Sequence, residues 1–183
     1  MRRLPIVTIV GYSNSGKTHC TTELIARLTA RGWRVAAAKH CHDDFQLDVE
    51  GKDSWQHKQA GAVTTIMSNR QQLGAVVTPA HPLTLEQICA QYVCDADILL
   101  AEGYSWEPHP KILVTSCAQL EDERVKLEDA VIALVGTKRQ NLAVAQFEFD
   151  QLDDLASLVE KEFLLPKTAA ISPSEAPEWK EQT

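Results

Sequence analysis

A β-branched run, Ile6-Val7-Thr8-Ile9-Val10, leads directly into Gly11-Tyr12-Ser13-Asn14-Ser15-Gly16-Lys17-Thr18, which fits G-x-x-x-x-G-K-[ST] at every fixed position. The nearly continuous apolar run reads as a buried parallel strand. A helix is expected from about Gly16 to Ala30, with Leu24, Ile25 and Leu28 on its apolar face and Gly32 as its stop. Trp33 to Lys39 reads as a second strand. Residues 6–39 therefore make one βαβ unit, right-handed by the strong bias of such crossovers.

Each fixed position of the loop has a physical task. Gly11 and Gly16 permit backbone conformations that aim successive N–H groups inward, and the following helix adds the positive end of its dipole. The resulting anion cradle covers Gly11, Ser13, Asn14, Ser15, Gly16, Lys17, Thr18 and His19. Lys17 can reach the terminal phosphates of a nucleotide, and the Thr18 hydroxyl is placed to ligate Mg²⁺. The expected fold is α/β, P-loop NTPase-like, a mostly parallel sheet flanked by helices.

Magnesium needs an acid, ordinarily at the end of a neighbouring buried strand. Asp97-Ile98-Leu99-Leu100-Ala101-Glu102-Gly103 offers Glu102 there, the alternative being a surface acid at a turn. Asp97 lies roughly 16 Å away along the strand and reads as a cap. Lys17 and Glu102 are thus the candidate catalytic pair, with Thr18 and Glu102 the candidate metal ligands. Lys39-His40-Cys41-His42-Asp43-Asp44 also follows a strand, on the side where α/β sheets bind ligands. Lys39 and His40 are candidate nucleotide contacts, against a polar loop carrying two exposed histidines. Gly51, Lys52 and Asp53 suit either a segment that orders on nucleotide or a plain helix start.

Further along, Asp53 or Ser54 is expected to cap a short helix through Ala60. Val63–Met67 and Gly74–Thr78 read as short strands, and Thr84-Leu85-Glu86-Gln87 has the capping-box pattern of a helix to about Val93. Lys111–Thr115 and Val131–Val135 are further strands, and a last helix is expected over about Leu152–Phe163. One nucleotide-binding domain is expected over residues 1–165, with no internal repeat and no second domain. Residues 166–183, rich in Pro, Ser and Glu, read as a disordered tail.

The chain has 183 residues and a formal charge of −7, which argues against general affinity for nucleic acid or anionic membrane. No stretch approaches the roughly 20 apolar residues of a membrane span. The five cysteines, Cys20, Cys41, Cys89, Cys94 and Cys117, are odd in number and scattered. They read as structural thiols in a reducing compartment, so a cytoplasmic location is expected.

With these pieces in order the chain resembles the MobB family of molybdopterin-guanine dinucleotide biosynthesis adaptor proteins. The resemblance runs through Gly11–Thr18, Arg31-Gly32-Trp33-Arg34-Val35, Lys39-His40-Cys41-His42-Asp43-Asp44-Phe45 and Gly51-Lys52-Asp53-Ser54. It continues through Gln59-Ala60-Gly61-Ala62 and Ile98-Leu99-Leu100-Ala101-Glu102-Gly103-Tyr104, covering about residues 5–164. It implies a homodimeric GTP-binding protein with weak GTPase activity and GTP and Mg²⁺ as cofactors. Its implied partners are the molybdenum cofactor guanylyltransferase and the molybdenum-insertion protein.

Two departures stand out. Many GTPases read guanine through an N/T-K-x-D carboxylate, but Thr137-Lys138-Arg139-Gln140 ends in a neutral amide, which cannot offer two acceptor oxygens. Leu100-Ala101-Glu102-Gly103 also stands where a D-x-x-G would precede the γ-phosphate. Guanine preference therefore follows from the resemblance alone. Two rival readings share the loop: an ATP-dependent small-molecule kinase, and a metallochaperone GTPase using His40, Cys41 and His42. A kinase would want a basic lid, and Lys111 and Lys138-Arg139 do not form one.

Overall fold

The structure, a computed structural model, describes residues 4–116, 130–137 and 143–165. Four α-helices and eight strands are found among them: β1 (Ile6–Gly11), α1 (Lys17–Ala30), β2 (Val35–Lys39), α2 (Asp53–Gln59), β3 (Thr64–Ser68) and β4 (Leu73–Val77), then α3 (Leu85–Tyr92), β5 (Ile98–Glu102), β6 (Lys111–Thr115), β7 (Val131–Gly136), β8 (Ala145–Phe147) and α4 (Leu152–Val159). The described residues fall into two compact units, residues 39–94 and the remainder. Both lie inside the span assigned from sequence to one domain. Lys138, Arg139, Gln140, Cys117 and the tail 166–183 lie outside the described residues.

The larger unit carries a six-stranded sheet in the order β2-β5-β1-β6-β7-β8. Its pairings from β5 to β8 are parallel, with Ile9 opposite Glu102 on one flank of β1 and Ile112 on the other. This is the α/β architecture expected from sequence. All five residues of β5 and of β6 are buried, which explains why their middles, Ile98–Ala101 and Ile112–Val114, read as apolar runs rather than alternating ones. Ile6, Val7, Ile9 and Val10 of β1 are buried as well, each contributing up to about 1.5–3 kcal/mol. Asp97 acts as the expected cap: its carboxylate accepts the Arg34 N–H at 2.9 Å, and its own N–H donates to the Arg34 carbonyl at 2.7 Å.

Helix α1 buries Cys20, Leu24 and Leu28 in one core with Leu152, Leu155 and Val159 of α4. Arg31, just past the end of α1, clamps the two helices together. It donates to Asp153 Oδ1 at 2.9 Å, Ser157 Oγ at 3.1 Å and Glu160 Oε2 at 3.0 Å, while Trp33 Nε1 takes the other Glu160 oxygen at 2.7 Å. Burial disfavours the guanidinium charge, but the two carboxylates outweigh it and the net pKa shift is upward.

The smaller unit holds α2, α3 and an antiparallel β3–β4 hairpin. Its α3 begins on the expected capping box, with Thr84 Oγ1 accepting from the Gln87 N–H and Gln87 Oε1 from the Thr84 N–H. Helix α2 departs from expectation. Lys52 is its N-cap, and the Ser54 hydroxyl donates instead to Asp48 Oδ1 at 2.9 Å. A side chain committed to an upstream carboxylate is not available to the helix end. Strand β8 was not anticipated, and the last helix passes into a π-helical turn over Glu160–Leu164.

Candidate functional site

The loop between β1 and α1 lies at the C-terminal edge of the parallel sheet, where open α/β sheets bind ligands. Gly16 is the N-cap of α1 with φ of 97°, and no side chain caps that helix end. The first N–H groups of α1 are thereby left to an external anion. Asn14 adopts φ of 61°, a left-handed conformation that asparagine tolerates. The Ser15 hydroxyl is buried and has no hydrogen-bond partner among the described residues, a polar group that a bound phosphate would suit. The Lys17 ammonium folds over the loop to the Tyr12 carbonyl.

The Thr18 hydroxyl donates to Glu102 Oε1 at 3.0 Å, and Glu102 is buried as the last residue of β5. Two hard oxygen donors side by side at the mouth of an anion cradle form the donor set that Mg²⁺ prefers. The register places Glu102, the last residue of β5, opposite Ile9, two residues before β1 ends at Gly11 and the loop leading to Thr18 begins. The turn after Glu102 is tight. Gly103 donates to the Ile9 carbonyl at 2.9 Å, and Tyr104 takes a φ of 55° while buried against Trp106, ring centroids 5.6 Å apart. An aromatic residue in that region costs about 1–2 kcal/mol, so its packing must hold it there.

The larger unit therefore brings Gly11, Ser13, Asn14, Ser15, Gly16, Lys17, Thr18, His19 and Glu102 together. The other candidates fall in the smaller unit. Lys39 closes β2, and His40 packs edge to face with His42 at 5.1 Å. Among the described residues, no third ligand joins these histidines within metal-binding distance. Gly51, Lys52 and Asp53 form a locally bonded entry to α2, with Lys52 N–H donating to the Val49 carbonyl at 3.1 Å and Gln56 Nε2 to the Gly51 carbonyl at 3.2 Å. These bonds are compatible with both readings open from sequence, a plain helix start and a segment that orders on nucleotide. Phe149, which the sequence did not single out, sits in a 3₁₀ turn after β8 with its ring 5.8 Å from that of His19 and packed against the core.

A phosphate loop on a parallel sheet, with a threonine hydroxyl and a buried carboxylate at its mouth, defines a P-loop nucleotide-binding protein. Residues 6–137 match the family model described as molybdopterin guanine dinucleotide synthesis protein B, MobB. The chain is 31% identical over 159 residues to the molybdopterin-guanine dinucleotide biosynthesis adapter protein of Haemophilus influenzae, covering 86% of this chain and 89% of that protein. It is 32% identical to the protein of the same name from Escherichia coli, over 85% of this chain and 91% of that one. Among solved structures, Bacillus subtilis MobB superposes with a TM-score of 0.68 at 26% identity, covering 87% of this chain and 98% of its own. The chain belongs to the MobB family. Among the described residues, no helix is long and apolar enough to cross a membrane.

Proposed function

We propose that this chain is a GTP-binding adaptor in the assembly of molybdopterin guanine dinucleotide, with weak GTPase activity. It works as a cytoplasmic homodimer beside the molybdenum cofactor guanylyltransferase and the molybdenum-insertion protein. Membership in the MobB family supports the pathway, since its relatives carry that adaptor name. The observation that carries the nucleotide role is the Thr18–Glu102 contact at the mouth of the loop. In this reading Gly11 to His19 cradle the phosphates, Lys17 neutralises the terminal ones, and Thr18 with Glu102 holds Mg²⁺. The metal would supply charge neutralisation across the phosphate oxygens.

An adaptor role fits what surrounds the loop. Fast phosphoryl transfer needs a group that orients water and an arginine that stabilises the developing charge, the latter alone worth about 10³–10⁵ in rate. Among the described residues of the larger unit, Arg27 is paired with Glu23, Arg31 with Asp153 and Glu160, and Arg34 with Asp95. Turnover well below roughly 1 s⁻¹ is expected for the protein alone. The test is calorimetry of GTP with Mg²⁺ on the native protein and on Lys17→Ala. Removing the lysine should weaken binding by about 3 kcal/mol, roughly 100-fold, while circular dichroism stays unchanged. Unchanged affinity in the folded variant, or rapid ATP-dependent phosphorylation of a small acceptor, would overturn the reading.

A further inference from the structure

Phe149 occupies a position the phosphate-loop motif does not account for. Its ring tip faces Gly16 so closely that a Cβ on that glycine would lie 2.7 Å from Cζ. Its Cε2 edge is 3.5 Å from where a Cβ of Gly136 would stand, at the C-terminal end of β7. The His19 ring, exposed on the first turn of α1, meets it at a centroid distance of 5.8 Å and an interplanar angle of 41°. Phe149 itself is only partly buried. The two rings form an aromatic ledge between the end of the phosphate loop and the ends of β7 and β8.

The sheet order gives this ledge a direction. Glu102 ends β5, on one flank of β1, and its contact with Thr18 fixes the metal end of the site on that flank. A nucleotide lies with its base away from the metal-bound phosphates, so the base belongs on the other flank, over β6, β7 and β8. Strand β7 is two strand spacings from β1, about 10 Å. The base-reading carboxylate that many GTPases carry after this strand is replaced by Gln140. An aromatic face holds a purine without that carboxylate, because stacking uses the π surface rather than the hydrogen-bonding edge.

We propose that Phe149, together with His19, is the purine-stacking platform of this nucleotide site; the proposal rests on the nucleotide-binding reading above. The platform supplies affinity for the base and does not choose between guanine and adenine. Phe149→Leu keeps apolar bulk against Gly16 and removes the π face, and Phe149→Tyr restores it. Calorimetry with Mg²⁺ then compares GTP, ATP and inorganic triphosphate on each protein. Phe149→Leu should weaken GTP and ATP by the same factor, about 5- to 100-fold, leave inorganic triphosphate unchanged, and be rescued by Phe149→Tyr. In the native protein, nuclear Overhauser contacts should join the purine H8 to the rings of Phe149 or His19. Equal losses for GTP and inorganic triphosphate would assign Phe149 to holding the loop and overturn the platform. So would undiminished GTP affinity, or the absence of those contacts in a saturated complex. Failure of the native protein to bind either GTP or triphosphate would remove the nucleotide reading itself.

Discussion

Replacing Gly136 by alanine separates two demands that glycines meet in this fold. Gly136 has φ of 106° and Gly32 has φ of 92°, so a side chain at either is forced into a region L-residues avoid. That costs about 1–2 kcal/mol, offset by about 0.4–1 kcal/mol because alanine stiffens the unfolded chain. Gly32 has open space around it, and Gly32→Ala should therefore destabilise by only about 1 kcal/mol. At Gly136 the new Cβ would intrude on the Thr115 carbonyl oxygen. That oxygen belongs to the end of buried β6, which pairs with β1 on one side and β7 on the other, so it cannot retreat alone. Overpacking adds about 1–3 kcal/mol. The Thr137 N–H bond to the same oxygen, 3.3 Å, is strained or lost for about 0.5–1.5 kcal/mol more. Gly136→Ala should thus cost about 3–5 kcal/mol, lowering a urea midpoint by about 2 M at an ordinary m-value. Parallel urea titrations of the two variants make the comparison. Destabilisations within 0.5 kcal/mol of each other, at equal m, would refute the steric argument.

Glu102→Gln keeps the shape beside Thr18 and removes the charge. GTP affinity in Mg²⁺ should fall while metal-free affinity holds, and an intact Mg²⁺ response would show that another acid serves the metal. Arg31→Met should cost about 1–2 kcal/mol, most of it from Glu160, since Asp153 is largely exposed. It should leave nucleotide affinity alone, and a loss below 0.5 kcal/mol would discard the helix clamp. Burial pushes the Cys20 thiol from 9.0 up to about 12. Its folded-state preference for the protonated form is fully present below pH 9 and is lost as pH rises from 9 towards 12, by at most about 1.4 kcal/mol per pH unit. Stability of the native protein should therefore fall more steeply above pH 9 than that of Cys20→Ala, and parallel pH profiles would contradict this.

What was legible from sequence was written within a few residues of itself. The β1 run, the phosphate loop and α1 are contiguous, and Glu102 sits at the end of a five-residue buried strand. The Thr84–Gln87 box likewise needs only one turn of chain to be recognised. Phe149 and β8 depend on distant partners. Strand β8 has three residues, lies at the sheet edge and alternates with no clear face, so only its pairing with β7 defines it. Ser54 looked like a helix cap because its commitment to Asp48, six residues upstream, is a tertiary choice. Thr18 and Glu102 could be named together from sequence as candidate metal ligands, but their hydrogen bond depends on the register of Ile9 against Glu102, which only the folded sheet supplies.

The position of β1 at the centre of the sheet has a consequence during synthesis. Ile6 pairs with Leu99, 99 − 6 = 93 residues later, and Ile9 with Ile112, later still. At about 5–20 residues per second a ribosome needs roughly 5–20 s to deliver the first of those partners. For that interval an Ile-Val-Thr-Ile-Val stretch, β-branched and uncharged, has emerged with both of its edges open. Such a segment is a template for wrong pairing. Strand β1 is thus made well before either of the strands that enclose it, and until β5 and β6 have followed the nascent chain carries it with unpaired edges.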